Sequence, residues 1–282
     1  MKKLISRFGL ARLLGAGGLL LLVLLFLASF MIQRKKAEIA PAEFIFAGTE
    51  NDADCCILLS SGTCVVVDTG EETDGPHIVS LLREHGIRQI DCLVLTHPDK
   101  DHIGGAALLL DSFPVSMAVM PYYGQYNASY NTLLKQMETA GIRQIHPADE
   151  FRETFGDLVI TFYPPEKTFY DLDNDYSLAL LVRHGNITLF LPGDAEKIRL
   201  KELERIDLPR IDLLKTPYHG RSSTASSDLI RRLAPSIAIV NASAPEAKIR
   251  KTLETLRTTV YTTVGYDRPF TSDGERILYT GD

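Results

Sequence analysis

The chain has 282 residues, 45% of them hydrophobic and 23% charged, a balance that excludes disorder, a collagen-like repeat and a small disulfide-held scaffold. Its net charge of −6 is unevenly spread: residues 1–36 hold seven bases (Lys2, Lys3, Arg7, Arg12, Arg34, Lys35, Lys36) and no acid, so the other 23 bases face 36 acids, a body at −13. An acidic body excludes general capture of a polyanion as its main feature, because unspecific nucleic-acid affinity comes largely from Lys and Arg neutralising phosphates.

Residues 1–12 form a basic N-terminal segment, and residues 13–32, Leu13 to Ile32, are 20 residues without a charge. A helix of that length spans the ~30 Å hydrocarbon core of a bilayer. A cleavable signal has a shorter apolar stretch and a nearby small-x-small site, whereas here Arg34-Lys35-Lys36 follow and Ala40-Pro41-Ala42 is distant. The stretch therefore reads as an uncleaved single-pass anchor in contact with membrane lipid, a cleaved signal and a buried core helix being the alternatives. The small excess of bases before it favours an N-terminus in the cytoplasm and an extracytoplasmic body in the cell membrane. Residues 33–43 read as a linker.

Beyond the linker, residues 44–282 alternate apolar runs with amphipathic stretches. Strand-like runs are Phe44 to Phe46, Cys56 to Leu59, Cys64 to Val67, Cys92 to Leu95, Leu158 to Phe162, Leu178 to Val182, Ile187 to Leu191, Ile211 to Leu214 and Ile237 to Val240. Helical patterns occupy Pro76 to His85, Asn131 to Ala140, Ala195 to Arg205, Ser227 to Leu233 and Pro245 to Arg257. Early hairpins with helices outside predict an α/β fold of two mixed sheets stacked between helices. Cys55, Cys56, Cys64 and Cys92 lack metal or redox spacing and read as buried thiols. His77, His85, His146 and His184 read as surface or loop residues.

The most informative segment is Thr96-His97-Pro98-Asp99-Lys100-Asp101-His102-Ile103-Gly104-Gly105, between a buried strand and a helix. Imidazole and carboxylate suit Zn²⁺, Mn²⁺ or Fe, and a tight loop can turn alternate side chains toward two adjacent ions.

His97-x-Asp99-x-Asp101-His102 resembles the H-x-[HD]-x-D-H signature of the metallo-β-lactamase superfamily, in the form found in the metallo-β-lactamase-like domain of the ComEC family of DNA-uptake proteins. Val67-Asp68-Thr69-Gly70, Asn174-Asp175-Tyr176-Ser177-Leu178, Leu191-Pro192-Gly193-Asp194 and Leu214-Lys215-Thr216-Pro217-Tyr218-His219-Gly220 keep the family's order of landmarks. The resemblance implies an αββα sandwich and a pair of divalent ions, Zn or Mn, with a hydroxide between them. His97 and Asp99 would hold one ion, Asp101, His102 and His219 the other, and Asp194 would bridge. Asp101, Lys215 and Tyr218 would act in the reaction; Asp68, Asn174 and Asp175 would support the ligands from behind.

Two departures matter. Tyr218 stands where the family has the first His of a His-His-Gly run, and a third His ligand for the first ion is missing, so that ion has two terminal ligands plus the bridge. Arg221 follows Gly220 where Ser is common, and a guanidinium there could clamp a phosphate. The expected activity is metal-dependent hydrolysis of a phosphodiester, in nucleic acid or a phosphorylated envelope polymer. A lactam, thioester or lactone hydrolase and a non-catalytic binding module are the alternatives. Lys100, Lys215 and Arg221 could line a local basic groove, with Tyr122, Tyr123, Tyr126 and Tyr130 as stacking surfaces. No protein partner is evident.

Overall fold

The computed structural model describes residues 39–281; the basic segment 1–12, the expected span 13–32 and residues 33–38 of the linker lie outside the described residues. Among the described residues no helix is long and apolar enough to cross a membrane. The first half of the body runs β1 (Ala42–Phe46), β2 (Cys56–Ser60), β3 (Thr63–Val67), α1 (Gly75–Glu84), β4 (Ile90–Val94), α2 (Lys100–Ile103), α3 (Ala106–Ser112), β5 (Val115–Val119), α4 (Ala128–Thr139) and β6 (Arg143–Ile145). The second half runs β7 (Phe151–Phe155), β8 (Leu158–Tyr163), β9 (Ala179–His184), β10 (Ile187–Leu191), α5 (Lys197–Leu203), β11 (Leu213–Lys215), α6 (Thr224–Leu233), β12 (Ile237–Val240), α7 (Ala247–Leu256) and β13 (Thr259–Thr262). Two further strands, β14 (Arg268–Ser272) and β15 (Ile277–Tyr279), return to the first sheet.

One sheet has the order β15-β14-β1-β2-β3-β4-β5-β6 and the other β13-β12-β11-β10-β9-β8-β7. Each combines an antiparallel hairpin portion with a parallel portion, β3 to β6 in one and β10 to β13 in the other. Antiparallel neighbours need only a turn, whereas parallel neighbours need a crossover, which contains a helix in each of the six parallel pairs. Local chemistry marks the helices: Pro76 opens α1, Asn127 caps α4 by accepting from the Tyr130 amide, and Ser223 caps α6 by accepting from Ser226.

Strand alternation sorts side chains into three apolar layers. Phe44, Leu58, Val65 and Cys92 face Ile160, Leu180, Leu189 and Leu213 between the sheets. Ile57, Val66 and Leu93 pack outward on Ile78, Leu82 and Leu109 of the first set of helices, and Leu181, Phe190 and Leu214 on Leu200, Ile230 and Leu253 of the second. Both faces of each central strand are covered, which is why those runs are continuously apolar in sequence. Each fully buried Leu, Ile or Phe contributes roughly 1.5–3 kcal/mol by leaving water.

The nine expected strands fall within or overlap β1 to β4 and β8 to β12. The four cysteines are free and buried, as expected, and burial pushes the Cys64 thiol up to about 12. His184 requires correction. It is fully buried at the end of β9, with Nδ1 bonded to the Ser272 hydroxyl and Nε2 3.0 Å from the Ala40 carbonyl.

Candidate metal centre

The carboxyl ends of β3, β4, β10 and β11 supply Asp68, the Thr96–Gly105 loop, Gly193-Asp194 and Thr216–Gly220 respectively. β3 pairs with β4 and β10 with β11, so each sheet contributes two adjacent loops at the strand ends where ligands of α/β sheets bind. The first loop is sewn down by backbone bonds from Thr69 N to His102 O (2.7 Å) and from Gly104 N to Gly70 O (2.9 Å). That approach leaves no room at Gly105, where a Cβ would lie 2.3 Å from the Thr69 carbonyl oxygen. Gly193 is needed for two reasons: its φ is +61°, and a Cβ would press on Ser177.

Hydrogen bonds fix how the imidazoles present themselves. Asp68 accepts from the Thr96 amide (2.7 Å), the Thr96 hydroxyl (2.7 Å) and His102 Nδ1 (2.7 Å). With its one proton given to Asp68, the Thr96 hydroxyl accepts from His97 Nδ1 at 3.1 Å. Both rings therefore carry a proton on Nδ1 and turn Nε2 away from Asp68, the orientation that a partner behind a metal-bound imidazole enforces. His97 Nε2 faces Asp99 Oδ2 at 3.5 Å. His102 Nε2 faces Asp194 Oδ2 at 3.5 Å and Asp101 Oδ2 at 3.8 Å. His219 Nε2 lies 2.7 Å from the same Asp194 oxygen and 3.2 Å from the same Asp101 oxygen. The structure thus brings together His97, Asp99, Asp101, His102, Asp194 and His219.

Charge is unbalanced toward acid. Burial lowers the His219 imidazole, but Asp194, Asp101 and Asp54 outweigh it and push its pKa up to about 12. His102 moves the same way, burial being outweighed by Asp194, Asp68 and Asp54. Burial raises Asp194, yet Lys215, His219 and His102 hold it well below the usual carboxylate range. Asp101 is likewise held low, burial being overcome by His219 and His102. A cluster that draws protons onto its own imidazoles is short of cations.

Three observations fit this cluster to divalent ions. The Nε2 atoms of His97 and His102 are buried and have no hydrogen-bond partner among the described residues. One donor atom each from Asp54, His102, Asp194 and His219 lie within 4.8 Å of one another. The donors are imidazole nitrogen and carboxylate oxygen, which Zn²⁺ and Mn²⁺ both accept.

The remaining expected residues are placed differently. Lys215 is buried and points its ammonium at Gly193 O (3.0 Å), Asp194 Oδ1 (2.7 Å) and Asp54 Oδ2, so its three donors are used inside the protein. Asp175 accepts from the Arg199 (3.2 Å) and Ile198 (3.4 Å) amides at the start of α5, and Asn174 donates to Glu196. Both were expected behind the ligands; their hydrogen bonds instead brace α5. Tyr218 and His219 have φ of +46° and +50°, the left-handed region, which costs roughly 1–2 kcal/mol per residue. The strained turn aims both side chains. Arg221 lies over the Tyr218 ring at 4.7 Å and donates to its hydroxyl at 3.0 Å.

A cavity of about 550 Å³ opens beside Asp101, lined also by Glu50, Asn51, Asp52, Glu71, Lys100 and Arg221. Of the three bases expected along a groove, Lys215 is buried, whereas Lys100, paired with Glu71 at 3.2 Å, and Arg221 line this cavity among its acids. Of the expected stacking residues, Tyr130 is buried and Tyr123 donates to Asp173, leaving Tyr122 and Tyr126 exposed.

Asp54 is the residue that motif reading missed. It precedes β2, and the β2–β3 register sets Cys56 opposite Val67, which puts Asp54 beside Asp68 and the carboxyl end of β3. No local signal marks it out, since Glu50 and Asp52 are acids of the same loop.

The fold and this donor set define a metallo-β-lactamase type of protein. The family model of the metallo-beta-lactamase superfamily matches residues 49–241, and the chain belongs to that family. It is 28% identical over 190 residues to Recombination protein 2 of Haemophilus influenzae, covering 66% of this chain and 22% of that protein. It is 31% identical over 169 residues to ComE operon protein 3 of Bacillus subtilis, covering 58% and 21%. The matched region is thus about a fifth of either relative's length, and it bears out the ComEC-like resemblance. The metallo-beta-lactamase fold protein YhfI from Bacillus subtilis superposes with a TM-score of 0.56 at 14% identity, over 81% of this chain and 99% of that one.

Proposed function

We propose that the protein is a membrane-anchored, metal-dependent phosphodiesterase with nucleic acid or a phosphorylated envelope polymer as substrate. The observation that carries the reading is the convergence of His102 Nε2 and His219 Nε2 on shared oxygens of Asp101 and Asp194, with His97 Nε2 and Asp99 alongside. His97 and Asp99 would hold one Zn²⁺ or Mn²⁺ ion, Asp101, His102 and His219 a second, and Asp194 would touch both. When bound, such ions lower the pKa of coordinated water toward neutrality and neutralise charge on the phosphoryl group.

The chain's own groups do the rest. Asp101 is the ligand that also borders the cavity, so its carboxylate can accept a proton from the attacking water. The Tyr218 hydroxyl and the Arg221 guanidinium, already joined at 3.0 Å, offer adjacent donors to two non-bridging phosphate oxygens. Asp68 holds the His102 ring still. The rim acids Glu50, Asp52 and Glu71 repel a polyanion, so attraction falls to the ions together with Arg221, and substrate binding depends on both. Residues 13–32 would anchor the chain in lipid and leave the body outside the cytoplasm.

Purified protein assayed on bis-p-nitrophenyl phosphate with added Mn²⁺ or Zn²⁺ tests the chemistry, and short single-stranded DNA against a glycerol-phosphate polymer tests the substrate. No turnover of any phosphodiester by metal-loaded protein refutes the reading. Hydrolysis of a thioester or lactam alone replaces it. For topology, a tag after Asp282 that stays protected from external protease in intact cells contradicts the extracytoplasmic body.

A further inference from the structure

We infer that Asp54, locked to Lys215, is a positioning residue that holds His219 Nε2 on the metal side of its ring, as Asp68 does for His102. The inference rests on the metal-centre reading above. His102 has a carboxylate on each side: Asp68 at Nδ1 (2.7 Å), and Asp194 and Asp101 at Nε2. His219 repeats the arrangement with a different partner, Asp54 Oδ1 standing 3.3 Å from Nδ1 while Asp194 and Asp101 face Nε2. Asp54 is also on the Nδ1 side of His102, at 3.9 Å. It therefore lies on the Nδ1 side of both rings, opposite the side on which their Nε2 atoms meet Asp194 and Asp101.

Two facts assign it a supporting role and not that of a ligand. Its Oδ2 is in a close ion pair with Lys215 Nζ, whose remaining contacts are Gly193 O and Asp194 Oδ1. Its Oδ1 and His219 Nδ1 are both buried and neither has a hydrogen-bond partner among the described residues, so each is the other's available satisfaction. Lys215 in turn ties up one oxygen of Asp194 and leaves Oδ2, the atom that meets both imidazoles, as the one free to contact ions. The ammonium thus positions a carboxylate behind His219 and a carboxylate in front of it. Partners of this kind behind a metal-bound imidazole change metal affinity about 10–100-fold when removed.

The test is metal binding by the full-length protein, measured by chelator competition with Zn²⁺ and with Mn²⁺, in wild type, Asp54→Asn, Lys215→Met and the double variant. Asp54→Asn should keep the wild-type number of ions and bind the ion that His219 would hold about 10–100-fold less tightly. ¹⁵N-histidine spectra of the Zn²⁺ form, which report the tautomer, should show the His219 Nδ1–H shifted and exchanging faster with water once its carboxylate acceptor is gone, while the His102 Nδ1–H is unchanged. Lys215→Met strands two buried carboxylates, Asp54 and Asp194, and should melt lowest; Asp54→Asn leaves the ammonium on Asp194 and should melt only slightly lower than wild type, and the double variant should recover part of the melting temperature lost in Lys215→Met but not the affinity. If Asp54→Asn does not fold, the double variant carries the affinity and tautomer measurements alone. Wild-type affinity and an unchanged His219 signature overturn the inference. Loss of a whole ion overturns it too, by making Asp54 a ligand. A wild-type protein that binds no metal fails the underlying reading instead.

Discussion

Removing the metal should make the protein's stability fall as pH rises through neutrality. In an unfolded chain a histidine titrates near 6.5, so above pH 7 it is neutral there. In the folded, metal-free cluster, Asp194, Asp101 and Asp54 overcome burial and keep His219 protonated up to about 12. The folded state then binds more protons than the unfolded one, and the stabilisation, complete below pH 6.5, is lost as pH climbs toward the folded value. Each such proton corresponds to a slope of about −1.4 kcal/mol per pH unit. His102 is raised by overlapping carboxylates, but its ring centroid is 5.6 Å from that of His219 and the two compete for Asp194, so the slope expected is that of about one proton. Between pH 7 and 9 chelator-treated protein should therefore lose about 2–3 kcal/mol in urea unfolding. Metal-saturated protein holds both imidazoles neutral and should lack this loss. The buried thiols, also raised by burial, titrate alike in both forms, so the difference between the two slopes isolates the imidazoles. Equal slopes, or a stripped protein that gains stability toward pH 9, would refute the electrostatic account.

Asp101→Ala and His102→Ala should each abolish phosphodiester turnover while far-ultraviolet circular dichroism stays native; a wild-type rate in either removes them from the reaction. Gly105→Ala should cost about 1–3 kcal/mol because the new Cβ meets a backbone carbonyl that cannot move alone, lowering Tm by several degrees. The displaced loop should bind metal more weakly, and an unchanged Tm would show that the close approach relaxes freely. Arg221→Ala should leave metal content intact and raise KM for a phosphodiester about tenfold or more, the loss of one charged hydrogen bond. An unchanged KM places the guanidinium outside the substrate's reach.

The His97–Gly105 loop could be found in the sequence because its chemistry is contiguous, and the strands that position it because both their faces are buried. Asp194 and His219 were found by motif order, and the structure sets them 2.7 Å apart although they come from different loops. Asp54 was not found because its place depends on the β2–β3 register, which no local pattern states. Asn174 and Asp175 follow the motif order yet bond to the start of α5, since a carboxylate near a helix start finds free amides first. β6, with three residues, and β7, whose Arg152 and Glu153 break the apolar run, carry too little pattern to read as strands, and their pairing with β5 and β8 makes them so. His184 looked like a turn residue because Gly185-Asn186 follow it, but the hairpin folds that end under β14.

The donors come from both sheets: His97, Asp99, Asp101 and His102 from the end of β4, Asp194 and His219 from the ends of β10 and β11. An ion sharing Asp101 and Asp194 would therefore be a cross-link as well as a reagent, fastening one half of the sandwich to the other. The active form and the mechanically closed form would then be the same species. Metal scarcity would lower both the number of working sites and the time a chain survives protease attack.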